Sequence, residues 1–341
     1  MAERIKKLPS KIKEEINKKF GKNVVFSGDD EHFKLERIPT GILSLDLLLD
    51  GGLPLGRWFE LYGAFSTLKT TIACFGMAQA QRLGHPVLYC DIERSITKEF
   101  LEMRGVDTSP DMLTIIQAET GEEYIEVARE YLRYGLHKVI VIDSIASMLP
   151  NREEKMSFDK EPMGAQAMMV SRMTRVLTAT NKSNACLIMV NQTREKLQAF
   201  GDNTTTPGGR APKFYSGQSV KLTRIKNTKS KGKTGERKML EQQIVATLDK
   251  DKTSGNYGNE ITMFYDVTKH RIDDSLEILH YGEMTGLINR AGNTYTYKNK
   301  KYSKANLLLA FKKKSKIRDI AKRDIINLVK EKGGIGSFRE A

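Results

Sequence analysis

Long apolar runs are missing from this chain. No stretch approaches the roughly 20 residues that cross a bilayer, and the opening MAERIKKLPS lacks the apolar segment of a signal peptide. The expectation is a cytoplasmic protein with no membrane partner. Cysteine is also scarce: Cys74, Cys90 and Cys186 are far apart and each sits in an apolar stretch. That spacing excludes a disulfide framework and a zinc site, and fits a reducing compartment. The five histidines are scattered and form neither a metal centre nor a nucleophilic triad. Internal repeats and low-complexity tracts are absent. What remains is 341 residues at 39% hydrophobic, enough for a large core plus a smaller unit.

Charge of one sign dominates the end of the chain. The net charge is +14, and Lys298 to Ala341 contains fourteen Lys and Arg against four Asp and Glu, so this tail holds ten of those charges. Phosphate-backbone partners are the natural match; the plainer alternative is a solvated basic helix. Three regions follow. Residues 1–36 contain a short charged helix, Lys11 to Phe20, closed by Gly21, and read as a segment that packs on a neighbouring subunit or partner. Residues 37–281 alternate strands and helices, as a mostly parallel sheet covered on both faces requires. Residues 282–341 form a small basic terminal unit. The stretches Gly201 to Gly209 and Lys226 to Lys238 read as loops.

Within the alternating region, Trp58 to Tyr62 reads as a strand and Thr71 to Leu83 as a helix, joined by Gly63-Ala64-Phe65-Ser66-Thr67-Leu68-Lys69-Thr70-Thr71. This linker is one residue away from the phosphate-binding pattern G-x-x-x-x-G-K-[ST]: Leu68 stands where glycine is asked for. Strand, tight loop and helix in that order aim backbone N–H groups at phosphate. Lys69 would reach the β and γ phosphates, and the Thr70 hydroxyl would ligate Mg²⁺. The leucine side chain either crowds the nucleotide or lines its wall. Buried strands are expected at Val87 to Asp91, Lys138 to Asp143 and Leu187 to Asn191, and each ends in a polar residue where ligands of such sheets bind. Asp143, ending an apolar strand about 70 residues after the loop, has the form of a magnesium-shell acid. Glu93, just beyond the strand that ends at Asp91, is placed to orient or deprotonate a water attacking the γ phosphate, or else to pair with Arg94 on the surface.

These residues, together with Thr40-Gly41-Ile42-Leu43-Ser44-Leu45-Asp46, Gly51-Gly52-Leu53-Pro54-Leu55-Gly56-Arg57, Met163-Gly164-Ala165-Gln166-Ala167, Val190-Asn191-Gln192, Thr204-Thr205-Thr206-Pro207-Gly208-Gly209 and Lys213-Phe214-Tyr215-Ser216, resemble the bacterial and phage RecA recombinase family in its own order. The resemblance implies an α/β RecA-like P-loop core with an N-terminal helix and a small α+β C-terminal domain. It also implies an ATP- and Mg²⁺-dependent protein that forms a helical filament on single-stranded DNA and promotes strand exchange with double-stranded DNA. Carried over by position, Glu93 matches the catalytic glutamate, Lys69 and Thr70 the phosphate and magnesium ligands, and Asp143 the second magnesium ligand. Phe100 matches an aromatic set against adenine, and Gln192 a sensor of the γ phosphate. Lys250 and Lys252 match lysines that reach a neighbour's nucleotide. The DNA-facing loops become about 151–163 and 193–212, with Met163, Gly164, Arg175, Phe200, Gly208, Gly209 and Lys213 toward DNA. The first is unusually acidic, with Glu153, Glu154, Asp159 and Glu161. Single-strand-binding and loading proteins are candidate partners.

Two departures bear on function. Leu68 replaces the loop glycine, so a DNA-binding filament or accessory protein with a weakened ATPase is the alternative, and a hexameric helicase on the same core is a third reading. The tail is basic where many family members end acidic, which predicts ready, salt-sensitive binding to duplex DNA.

Overall fold

Short apolar runs that end in polar residues need cover on both faces, and three of them lie side by side in one sheet. The computed structural model describes residues 2–157, 164–195, 204–229 and 239–338. The central sheet consists of β1 (Trp58–Gly63), β2 (Val87–Asp91), β3 (Leu113–Ile116), β4 (Val139–Asp143), β5 (Cys186–Gln192), β6 (Ser216–Lys229), β7 (Met239–Asp251), β8 (Glu260–Asp266) and β9 (Arg271–Ile272). Their order in space is β9-β8-β7-β6-β1-β5-β4-β2-β3. From β6 to β3 neighbouring strands run parallel, and β7, β8 and β9 continue antiparallel.

Burial follows that division. Every residue of β1, β2 and β4 is buried, whereas β7 alternates, with Gln242, Ile244, Ala246 and Leu248 inward. The period of two sorts the parallel strands between two apolar clusters. Val139, Val141, Ile188 and Val190 join one, on the face that receives Ile72 and Met77. Ile140, Ile142, Leu187 and Met189 join the other, with Met169 and Met173.

The helices include α1 (Ala2–Phe20), α2 (Leu43–Leu48), α3 (Lys69–Arg82), α4 (Lys98–Glu102), α5 (Gly121–Tyr134), α6 (Ala165–Thr180), α7 (Asp274–Met284), α8 (Lys304–Lys313) and α9 (Ser315–Glu331). One compact unit ends at Glu36 and the other begins at Arg37. In the first, α1 begins at Ala2, earlier than the expected Lys11, and contains Pro9. Asn17 ties it to the extended segment that follows, accepting from the Val24 and Val25 N–H groups at 2.9 Å each.

In the second unit, α3 starts at Lys69, before the expected Thr71, because Leu68 supplies the left-handed turn that opens it. The expected loop from Lys226 is strand as far as Lys229: Lys226, Asn227 and Thr228 pair with Gln243, Gln242 and Glu241. The antiparallel ladder satisfies the backbone, so exposed polar side chains do not prevent strand there. A small sheet of β10 (Asn289–Ala291), β11 (Thr294–Tyr297) and β12 (Lys300–Ser303) precedes α8. Leu307, Phe311, Ile325 and Val329 share an apolar cluster with Leu48 and Ile278. Around them Lys312 pairs with Asp273 at 3.0 Å and Lys322 with Asp274 at 2.6 Å.

Candidate nucleotide site and DNA-facing segments

Strand register brings the polar strand ends together. Gly63 of β1 lies beside Gln192 of β5, and Asp91 of β2 beside Asp143 of β4. Past these ends is a cleft of about 320 Å³, lined by Phe65 to Thr71, Glu93, Ser95, Ile96, Phe100, Asp143, Val190, Gln192 and Gln242. Of the residues expected at a nucleotide, Phe65, Ser66, Thr67, Leu68, Lys69, Thr70, Thr71, Glu93, Phe100, Asp143 and Gln192 all line it. Gly63 and Ala64 form the turn behind, and a Cβ at Gly63 would collide with the Leu222 carbonyl.

Leu68 sits at φ 68°, ψ 17°, the left-handed conformation for which glycine is ordinarily used. Holding a leucine there costs about 1–2 kcal/mol. Its side chain is half-buried and packs on the apolar core beneath the sheet. It lines the wall, and that apolar contact offsets part of the backbone cost.

The Lys69 ammonium donates to the Gly63 and Ala64 carbonyls at 3.1 and 2.7 Å, curling over the loop. Burial lowers its pKa, while Asp143 and Glu93 act the other way. The Thr70 hydroxyl donates to Asp143 Oδ2 at 2.6 Å, and the Tyr89 hydroxyl donates to the same oxygen at 2.8 Å. Burial raises the Asp143 pKa, and these two hydrogen bonds oppose the rise. Thr70 and Asp143 are hard oxygen donors in contact, which fits Mg²⁺. Among the described residues no group of three or more His, Cys, Asp and Glu side chains could hold a metal. An ion here would therefore complete its shell with water and phosphate oxygens.

Glu93 Oε1 accepts from Ser144 Oγ at 2.6 Å, Ser147 Oγ at 3.3 Å and Gln192 Nε2 at 3.0 Å. Arg94 turns away, donating to the Ala118 carbonyl at 3.1 Å, so no Glu93–Arg94 pair forms. Next to Gln192, Asn191 is buried and donates to Glu60 Oε1 at 3.3 Å and the Pro207 carbonyl at 3.2 Å. Glu60 lies within the core, its pKa raised by burial and held back by hydrogen bonds from Ser219 and Asn191. The end of β5 thus touches both the cleft, through Gln192, and the returning end of the second loop, through Asn191.

Asp91, one of the polar strand ends, accepts from Ser95 N at 3.2 Å and Gln117 Nε2 at 2.8 Å, which shapes the turn that carries Glu93. Tyr89, Ser144, Ser147, Glu60 and Gln242 were not singled out from sequence. Ser144 and Ser147 directly follow Asp143, and that adjacency was the available signal. Tyr89, Glu60 and Gln242 lie inside strands, away from the polar ends that mark a ligand site.

Lys250 and Lys252 do not line the cleft of their own chain. The Lys250 ammonium donates to the Lys213 and Phe214 carbonyls. Burial pushes its pKa down to about 8, with Lys252 adding to the shift. Lys252 lies over the exposed Phe214 ring at 5.7 Å. Lys213 pairs with Asp249 at 2.8 Å, and Asp249 also accepts from the Tyr62 hydroxyl at 2.5 Å.

Gly164 opens α6 in a left-handed turn at φ 73°. Gly208 packs against Val170 and Pro212, and a Cβ on Gly209 would press on Ala167 at 3.1 Å. The glycines at the returning end of the second loop therefore lie against the first turns of α6. Arg175 is exposed further along that helix, about 12 Å beyond Ala167 at 1.5 Å per residue. Met163, Asp159, Glu161, Phe200 and Gly201 lie outside the described residues.

Comparison with known proteins gives one answer. The family described as RecA N-terminal domain matches residues 6–266. A RecA protein of Mycobacteroides abscessus is 34% identical over 336 residues, 95% of this chain and 91% of that protein. One from Clostridium acetobutylicum is 33% identical over 325 residues, 93% and 89% of the two chains. Another, from Aquifex pyrophilus, is 34% identical over 294 residues, 84% and 81%. With the strand order, the phosphate-type loop and these matches along nearly its whole length, the chain belongs to the RecA family.

Proposed function

We propose that the chain is a DNA-dependent ATPase and recombinase that forms a helical filament on single-stranded DNA and pairs it with homologous duplex. The observation that carries this reading is the Glu93–Gln192 hydrogen bond of 3.0 Å. It joins the group suited to activating water to the residue that begins a DNA-facing loop, so occupancy of the cleft and the set of that loop share one contact.

The roles follow from the contacts. Lys69, drawn off the Gly63 and Ala64 carbonyls, meets the β and γ phosphate oxygens. The loop amides from Phe65 to Thr71 and the start of α3 face the phosphate chain. Thr70 and Asp143 hold Mg²⁺, which when bound screens the phosphate charge. Glu93 accepts the proton of the attacking water, and Ser144 and Ser147 keep its carboxylate in place. Gln192 reports the γ phosphate to the loop it begins. Phe100 offers its ring to adenine. Lys250 and Lys252 complete the neighbouring subunit's site in the filament, as an arginine finger would, and residues 1–36 pack on that neighbour. Gly164, Arg175, Gly208, Gly209 and Lys213, together with Met163 and Phe200, face single-stranded DNA. The basic residues 282–341 take duplex DNA by summed charge. Single-strand-binding and loading proteins are the expected accessory partners.

Leu68 does not favour a merely nucleotide-binding protein, because its backbone already holds the conformation the loop needs and its side chain is turned to the core. The direct test is steady-state ATP hydrolysis with and without single-stranded DNA, in the parent and in Glu93→Gln. Turnover that rises with DNA and disappears in the variant supports the reading. A parent that binds nucleotide but never hydrolyses it with DNA present overturns it.

A further inference from the structure

A buried guanidinium needs a counter-charge or an equivalent, and Arg104 has none among the described residues. It is 8% exposed. Its Nε donates to Thr71 Oγ1 at 3.2 Å and its Nη1 to the Phe100 carbonyl at 2.8 Å, both neutral acceptors. The Tyr265 hydroxyl is a further polar neighbour. Arginine is seldom buried this deeply without a carboxylate. What it has instead is an aromatic face: the guanidinium carbon stands 3.4 Å from the centroid of the Phe100 ring.

The location gives this contact a purpose. Phe100 lines the cleft at the strand ends, and Arg104 does not; Arg104 borders a separate hollow with Arg82 and Gln79. The guanidinium therefore stacks on the ring without itself lining the cleft. Its hydrogen bonds run to the backbone that carries the ring and to Thr71, two residues after Lys69 in α3. One side chain thus fixes the distance between the aromatic platform and the start of the phosphate-binding helix.

We propose that Arg104 is a positioning and specificity residue for the nucleobase, clamping Phe100 from behind so that a purine stacks on its front face in a guanidinium–ring–base sandwich. This deepens the nucleotide reading above and rests on it. A cation on the back of the ring draws π density away from the front, which favours an electron-rich, extended base. A six-membered pyrimidine overlaps less of the ring and gains less.

The test is equilibrium binding of ATP, CTP and inorganic tripolyphosphate to the full chain with Mg²⁺, in the parent, Arg104→Met and Arg104→Lys. Methionine keeps the stem and removes the charge, and lysine keeps the charge and loses the planar stack. Both variants should lose about twofold to thirtyfold in ATP affinity, the range to which a cation–π contact of about 0.5–2 kcal/mol converts. The preference for ATP over CTP should shrink, and tripolyphosphate affinity should stay within about twofold of the parent. In a Phe100→Leu background the Arg104→Met loss should vanish, since the two act through one contact. Unchanged ATP affinity in the variants overturns the proposal, as does an equal loss for ATP and tripolyphosphate, which would mean that Arg104 only supports α3. A parent that binds none of the three ligands sinks the nucleotide reading itself, whereas a binding parent with unaffected variants sinks only the role of Arg104.

Discussion

The cleft and the basic C-terminal elements are both rich in charge and use it in opposite ways. In the cleft Lys69, Glu93 and Asp143 each have short, directed partners, supplied by the turns that follow β1 and β4 and by the start of α3. In the C-terminal elements Lys300, Lys301, Lys304, Lys313, Lys314 and Lys316 are exposed and form no ion pair among the described residues, while Lys312 and Lys322 pair with Asp273 and Asp274. The first arrangement depends on single atoms. The second acts through its summed field, which no individual lysine decides.

Substitutions and salt should therefore separate the two regions. The largest expected effect is Glu93→Gln: DNA-stimulated hydrolysis measured by phosphate release should fall on the order of 100-fold or more, with nucleotide affinity nearly unchanged. Retained turnover would show that another group activates the water. Next comes duplex binding through the terminal elements. If about four phosphates are neutralised, affinity should drop on the order of 100-fold between about 50 and 200 mM salt. Reversing any one of the six exposed lysines should change it only by a few-fold, and a titration with no salt slope would count against the summed-field account.

Lys250 lies between these extremes, half-buried yet outside its own cleft. Its folded pKa of about 8 lies below the ordinary 10.5, so the folded chain loses this proton as pH rises through about 8 while the unfolded chain still holds it. Stability consequently rises with pH between those two values. Any activity that uses the ammonium in the neighbouring site declines as pH rises through about 8. Hydrolysis followed from about pH 7 to 9 should fall several-fold, and Lys250→Arg, which stays charged, should flatten the profile. A flat parental profile would remove Lys250 from the reaction.

The smallest effect belongs to Leu68→Gly. Relief of about 1–2 kcal/mol of left-handed strain is opposed by about 1–2 kcal/mol of lost apolar contact and added chain freedom. The melting temperature should move by no more than about 3 °C. A larger fall would mean that the packing of Leu68, more than its backbone, holds the loop.

How much of this was readable from sequence varies by element. β2, β4 and β5 could be read because strands buried on both faces are uninterrupted apolar runs, and their polar last residues stood out for the same reason. The pairing of Thr70 with Asp143 could be anticipated from the order of the two segments. The extension of β6 to Lys229 was not legible, because a hairpin paired by backbone tolerates a polar, lysine-rich composition. Nor were Tyr89 and Glu60, each hidden in a strand whose chemistry is visible only when the facing side chain is known. Arg104 carried no signal at all, since a lone arginine after a short helix is ordinarily a surface residue.

The sequence by itself determined the family, the order of strands and helices, and the residue types gathered at the phosphate loop, because these depend on local pattern and spacing. Only the tertiary structure decided that Leu68 lines the wall, that Glu93 and Gln192 share a hydrogen bond, that Lys250 lies outside its own cleft, and that a buried guanidinium stacks on Phe100. Each of these depends on which side chains from distant segments meet across a strand register or a packed face, and a linear pattern of residues does not specify such meetings.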